Sequence, residues 1–485
     1  MTTDALTARG EEMHQALGRE WYLTGAGLKE QPEFQAIYDR FRDVSTDEAL
    51  ATARASGSLE LLEWVLDLRV GRRTARLEEA QLTWEQATTL RAGQRDVPYL
   101  RSPIELANAD DRAFRIALDQ ARVTAAAQGL TGMRLDRFGQ ERDEVLALEL
   151  GDYVRARSAL GRIDLDALGR AAAQFLARTE AAYRDALAHL VKKRLGLTLD
   201  DLVRADSAWV FRAAQFDAAF PPDTLVQTAA RQMREMGIDP EQRGRIRFDT
   251  EERAAKQPRA FCVPVMVPDE VYLVLRPRGG HQDFRTFWHE HGHALHFASV
   301  DAALPFAARW LGDNSVTEGF AMLWDHQTML PAWLTRFGGL GAGDARALAF
   351  ELAVSELFLV RRYAAKLQYE LVLHRGDMSR MGPEYATHLT RATLFRYPEG
   401  DFLVDVDPGF YSARYLRAWQ LQALLTATLT QRFDDDWYRN PRAGSYVQQL
   451  MSRGQAENAN ELAARVSGAE LDFEPLARQI EAALN

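Results

Sequence analysis

The sequence predicts a mainly α protein with one small β element, and three observations lead there. Segments 46–92, 112–134, 163–192 and 344–375 repeat apolar side chains at steps of three and four, the spacing of one helix face. Glycine and proline fall mostly between these segments rather than inside them. Only one short region, around residues 261–276, is instead rich in valine, leucine and aromatic residues in strand-length runs.

The clearest helix is 163–192, where Leu165, Leu168, Ala172, Phe175, Thr179, Ala182, Ala186 and Leu190 form the apolar stripe. Asp164 stands where its carboxylate can cap the first turn. At 485 residues the chain exceeds what one hydrophobic core usually supports, so two helical subdomains are expected. They are drawn as an N-terminal one over 1–200 and a second over 201–485. Within the latter, Phe261–Met266 and 271–276 read as neighbouring strands joined through Pro268-Asp269. Arg278-Gly279-Gly280 then breaks the chain, and Asp283 is placed to cap a helix over 284–299. The glycine-rich run 338–343 has no strand before it, so it reads as a connector between helices and not as a nucleotide loop.

Composition removes several function classes. The formal net charge of −10 argues against a nucleic-acid binder, which needs clustered positive charge. Cys262 is the only cysteine, which excludes an internal disulfide framework and argues against a cysteine-based metal site; it reads as a small buried hydrophobe. No run of 18 apolar residues exists and the N-terminal stretch lacks an apolar core, so neither a membrane span nor a signal peptide is expected, and a cytoplasmic enzyme is the default.

The chemistry concentrates on the helix expected over 284–299. Six of the ten histidines fall between His281 and His326, and residues 289–296 read His-Glu-His-Gly-His-Ala-Leu-His. Residues four apart lie one above the other on a helix, so His289 and His293 can present both imidazoles to one metal ion. Glu290 is turned about 100° around the helix, where it can act as a general base beside a zinc ion without ligating it. His291 falls on another face and is not expected to ligate. His296 shares the face of His289 and His293, and packing and an outer role stand equal for it.

Catalytic zinc needs a third protein ligand and an open position. Glu318, at the start of an apolar helix in Thr317-Glu318-Gly-Phe-Ala-Met-Leu-Trp-Asp325, is the candidate, against the alternative of a carboxylate favoured by the helix dipole alone. Asp325, seven residues on, could accept a hydrogen bond from a ligating histidine or be a plain surface carboxylate. A metzincin is excluded, because position 296 is His where that pattern needs Gly and position 299 is Ser where it needs His.

The sequence HEHGHALH resembles the HExGHxLH signature of the thimet oligopeptidase and oligoendopeptidase F family of zinc peptidases. Glu318 follows His293 by 25 residues and Asp325 follows Glu318 by seven, both as in that family. The Lys256–Cys262 stretch and the strand at 271–276 resemble the segment before the family's zinc helix, where a strand edge lines the substrate channel. Gly409-Phe-Tyr411-Ser-Ala-Arg-Tyr415 resembles its tyrosine-rich segment near the C-terminus. The resemblance covers roughly residues 250–425. Two positions depart from the pattern: Asp405-Val406-Asp407 stands where the family has a histidine, and Ala418 where it has a further tyrosine.

That resemblance implies a zincin-like metallopeptidase of the gluzincin type, with two helical subdomains flanking a deep cleft. It implies one zinc per chain held by His289, His293 and Glu318, with Glu290 as catalytic base and Tyr415 and Tyr411 as hydrogen-bond donors to the oxyanion. It implies short unstructured oligopeptides as substrates, with the strand at 271–276 offering an edge for main-chain pairing. A carboxypeptidase or dipeptidyl carboxypeptidase of related fold, an inactive peptide-binding homologue, and a zinc hydrolase of another amide are the alternatives. Oligomeric state is not legible.

Overall fold

The structure, a computed structural model, describes residues 1–484. Helix accounts for 71% of the chain and strand for 5%, so the class is mainly α with small sheets. No helix among the described residues is long and apolar enough to cross a membrane. Packing divides the chain into two units, each assembled from separated stretches.

The first unit comprises Met1–Val65, Ala214–Ala349 and Arg417–Gln479. Its sheet has three strands in the order β3-β5-β4, with β3 at Ile246–Asp249, β4 at Phe261–Met266 and β5 at Glu270–Val274. β4 and β5 run antiparallel, whereas β3 joins β5 in parallel. Four-residue β3 left no alternation long enough to read in the sequence. β5 ends at Val274, and every one of its residues is buried. It is the central strand, paired on both sides, so the expected free edge at 271–276 does not exist. The outer strands are β3 and β4, and helix Thr3–Gly25 packs on β4.

Helix His281–Ser299 packs on β4 and β5 and lies along helix Asn314–His326. The approach of these two helices depends on Gly292, where an added Cβ would stand 2.7 Å from the Ala321 Cα. Trp288 and Trp324, both fully buried, stack across the same seam with ring centroids 6.1 Å apart. Such apolar seams supply most of the stability of helices whose own propensity is modest. The helix begins at His281, three residues before the expected start, with Gly280 at the cap position. Asp283 sits inside the first turn and reaches back to accept the backbone N–H of Gly279 at 2.8 Å and that of Arg278.

The second unit comprises Leu66–Ala213, Phe350–Leu416 and a stretch from Ile480. Its helix Leu165–Leu195 follows the sequence reading, with Asp164 accepting the Ala167 N–H at 2.8 Å. Gly196 closes it in a left-handed conformation, and Lys192, Lys193 and Arg194 complement the dipole in its last turn. Helical periodicity over 46–92 holds only to Ala87, through helices Asp47–Ala55 and Leu59–Ala87. β1 at Thr89–Ala92 then pairs antiparallel with β2 at Arg95–Pro98 through the two-residue turn Gly93-Gln94. Leu90, Ala92, Val97 and Tyr99 bury one face of that hairpin against Phe114 and Leu118. The run 112–134 likewise divides, at Leu130, into Arg112–Gly129 and Thr131–Leu146.

Candidate metal centre

His289 and His293 stand one turn apart on the Gly292 helix, with ring centroids 4.9 Å apart and planes at 85°. Each ring has its Nδ1 engaged by a different partner. His289 Nδ1 lies 2.9 Å from the Asp325 carboxylate, and His293 Nδ1 lies 2.9 Å from the Thr317 hydroxyl. Both partners come from helix Asn314–His326. The Nε2 atoms are thereby turned to one place, 3.4 Å and 3.6 Å from the same Glu318 oxygen. Ligand atoms of His289, His293 and Glu318 all lie within 4.8 Å of one another, the only group of this kind among the described residues.

The electrostatics follow from two buried carboxylates meeting two partly buried imidazoles. Burial works against a charged His289, but hydrogen bonds and charge from Asp325 and Glu318 outweigh it and raise its pKa to about 10. Burial works against ionised Glu318 as well, yet His289 and His293 hold its carboxyl well below the usual range. Asp325 is also held low against its burial, by Arg285, which lies 3.5 Å away, and by His289. A pair of imidazoles and a carboxylate so arranged is a donor set of the kind that could hold a metal ion such as zinc. The histidines already have the outer partners that fix tautomer and ring orientation.

Glu290 lies outside this group of three. One of its oxygens accepts the backbone N–H of Cys262 on β4 at 2.9 Å. This bond ties the carboxylate to the sheet on which the helix packs. The remaining motif histidines are packing residues. His291 is fully buried among Phe248, Phe287 and Trp288, with Nε2 3.1 Å from the Pro240 carbonyl, and burial pushes its pKa down to about 4. His296, open between two roles in the sequence, is fully buried against Phe320 with Nε2 3.3 Å from the Gly454 carbonyl, and burial brings it to about 4 as well.

Tyr411 and Tyr415 belong to the second unit, where they begin helix Tyr411–Phe433. Both are half-buried, with rings 5.1 Å apart, and Tyr363 lies against Tyr415 at 5.2 Å. Asp405 and Asp407, at the place of the family histidine, are ion-paired: Asp405 with Arg362, and Asp407 with Lys366 at 2.7 Å.

Three contributors escaped the sequence reading. Thr317 carries a weak signal as the neighbour of Glu318 on a helix that meets the histidine face. Arg285 lies one turn before His289, which is a signal only once Asp325 is known to be its partner. The Cys262 amide is a backbone group and has no signature in the sequence. No protein-family model matches the chain, and no curated protein matches it.

Proposed function

We propose that the protein is a zinc-dependent metallopeptidase acting on short unstructured oligopeptides in the cytoplasm. The observation that carries this reading is the convergence of ligand atoms of His289, His293 and Glu318 within 4.8 Å of one another, with Glu290, the next residue after His289 on the same helix, outside the set. The packing of the motif helix on a small sheet and along a second helix that bears the third candidate ligand supports it further, and we read it as zincin-like. The peptide substrate class and the oligopeptidase assignment rest on the sequence resemblance.

His289, His293 and Glu318 would hold one zinc ion, which when bound supplies Lewis acidity for a peptide carbonyl and lowers the pKa of water. Asp325 and Thr317 keep the two rings in the tautomer that leaves Nε2 available. Glu290 takes the proton of the attacking water and returns it to the leaving amine. Its second oxygen, held by the Cys262 amide, keeps the carboxylate oriented through both transfers. Tyr415 and Tyr411 donate hydrogen bonds to the oxyanion, a role that rests on their match to the family segment.

The test is hydrolysis of a quenched fluorescent peptide library by protein whose zinc content is measured in parallel. One zinc per chain and chelator-sensitive cleavage are expected. Metal bound without hydrolysis would favour an inactive peptide-binding homologue, and failure of reconstituted protein to bind zinc would remove the proposal.

A further inference from the structure

Helix Ala342–Arg375 carries a buried charged face that the proposed mechanism does not use. Tyr363, Lys366 and Glu370 follow one another at steps of three and four, so they lie along a single stripe of that helix. The stripe faces one turn of chain. Lys366 reaches the Asp407 carboxylate at 2.7 Å and lies 3.7 Å from that of Asp405. Glu370, with no exposed surface, accepts the backbone N–H of Asp407 at 3.0 Å with one oxygen and the Ser412 hydroxyl with the other. Tyr363 meets the ring of Tyr415.

Between the two groups that Glu370 holds, the backbone turns through two consecutive left-handed residues, Gly409 at φ 62° and Phe410 at φ 59°. Glycine adopts this conformation readily, whereas a bulky aromatic residue does so only when its surroundings over-determine it. Phe410 is clamped by the rings of His374 at 5.0 Å and Tyr153 at 5.9 Å. The next residue is Tyr411, and Tyr415 stands one helical turn further. A buried carboxylate is a poor source of stability, since an apolar residue of similar size commonly serves as well. Here the carboxylate spans both sides of a strained turn, which an apolar side chain cannot do.

We propose that Glu370, backed by Lys366, is a positioning residue that fixes the 407–412 turn and so sets the direction of the Tyr411 and Tyr415 hydroxyls. The inference rests on the reading of these tyrosines as donors to the oxyanion. Burial together with the nearby Asp407 charge pushes Glu370 up to about 7, against Lys366 and the two donated hydrogen bonds, consistent with a carboxyl group kept at a dry turn by its partners.

The experiment is a set of kinetic cycles on zinc-loaded full-length enzyme. Glu370→Ala is expected to lower kcat about 10- to 100-fold, as displacement of a positioned group does, with KM changed less than about twofold. Glu370→Gln, which can still accept from Asp407 and pair with Ser412, should stay within about threefold of the parent. In a Tyr411→Phe or a Tyr415→Phe background the cost of Glu370→Ala should shrink to less than about threefold, because both changes remove the same interaction. If Glu370→Ala fails to fold, Ser412→Ala is read in its place, with the same direction and a smaller loss. Tyrosine variants that lose kcat while Glu370→Ala and Ser412→Ala do not, or that add fully to them, would overturn the positioning role alone. Tyrosine variants with unchanged kcat would overturn the donor reading, and the positioning role with it.

Discussion

Replacing Thr317 with valine exchanges a hydroxyl for a methyl group of similar shape. Among the described residues, the one hydrogen bond it deletes at the candidate metal centre is the 2.9 Å bond to His293 Nδ1. Thr317 is 7% exposed, so water has little access to take the place of the hydroxyl. When His293 presents Nε2 to a metal, its proton resides on Nδ1 and needs an acceptor there. A buried donor left without one costs about 1–3 kcal/mol. At about 1.4 kcal/mol per factor of ten, that corresponds to a loss in zinc affinity of about 5- to 150-fold. Loss of an outer partner elsewhere typically costs 10- to 100-fold, which falls in the same range. The assay is competition between apo-protein and a chromogenic chelator, with thermal melts run in parallel. Thr317→Ser keeps the hydroxyl and should bind zinc within about threefold of the parent. Equal affinity of the valine variant and the parent would refute the reasoning. Equal weakening of the serine and valine variants would show that shape, and not the hydrogen bond, is what matters.

Glu318→Ala should retain less than about a tenth of its zinc after dialysis, since two imidazoles alone hold the ion poorly; elemental analysis reads it directly. In the second unit, burial pushes Glu141 up, but Arg157, Tyr153 and Arg137 together bring it down to about 2. A carboxyl lowered in this way contributes stability that is present above its ordinary pKa of 4.5 and is lost as pH falls through about 2. Its size is about 3 kcal/mol, so the melting difference between parent and Glu141→Gln should be largest near neutral pH and shrink progressively below pH of about 4.5; a constant difference would count against the ion pair. Short unstructured peptides should be cleaved and a small folded domain should not, as gel and mass analysis over a series of lengths would show; digestion of the folded domain faster than it unfolds would exclude the oligopeptidase reading.

What could be read from the sequence was what local spacing encodes. HEHGH on a helix places His289 and His293 on one face whatever surrounds them, and 25 residues of loop and helix suffice to return Glu318 to that face. Asp164 could be assigned because a cap is a bond to the next turn. Other features depended on partners far away in the chain. β5 had the composition of a strand, but whether it lay at an edge was decided by β3, four residues beginning 24 positions earlier. His296 satisfied the helical face rule, yet the Gly454 carbonyl and Phe320 make it a core residue. Helical periodicity carried the reading past Ala87 into β1, because the Gly93 turn was outweighed by the long apolar repeat before it. Glu370 gave no signal, since a glutamate within an amphipathic helix looks solvated until the turn at 407–412 is packed over it.

The central claim is that one zinc ion and one carboxylate base act together on a peptide bond. Its most direct test compares the parent and Glu290→Gln, each carrying the same measured zinc content, on a peptide that the parent cleaves. Glutamine keeps the size of the side chain but cannot take the proton of the attacking water. The account predicts unchanged zinc and fold with kcat reduced by at least about 100-fold, the scale of a positioned general base. Zinc-matched Glu290→Gln that hydrolyses the peptide at the parent rate would contradict it.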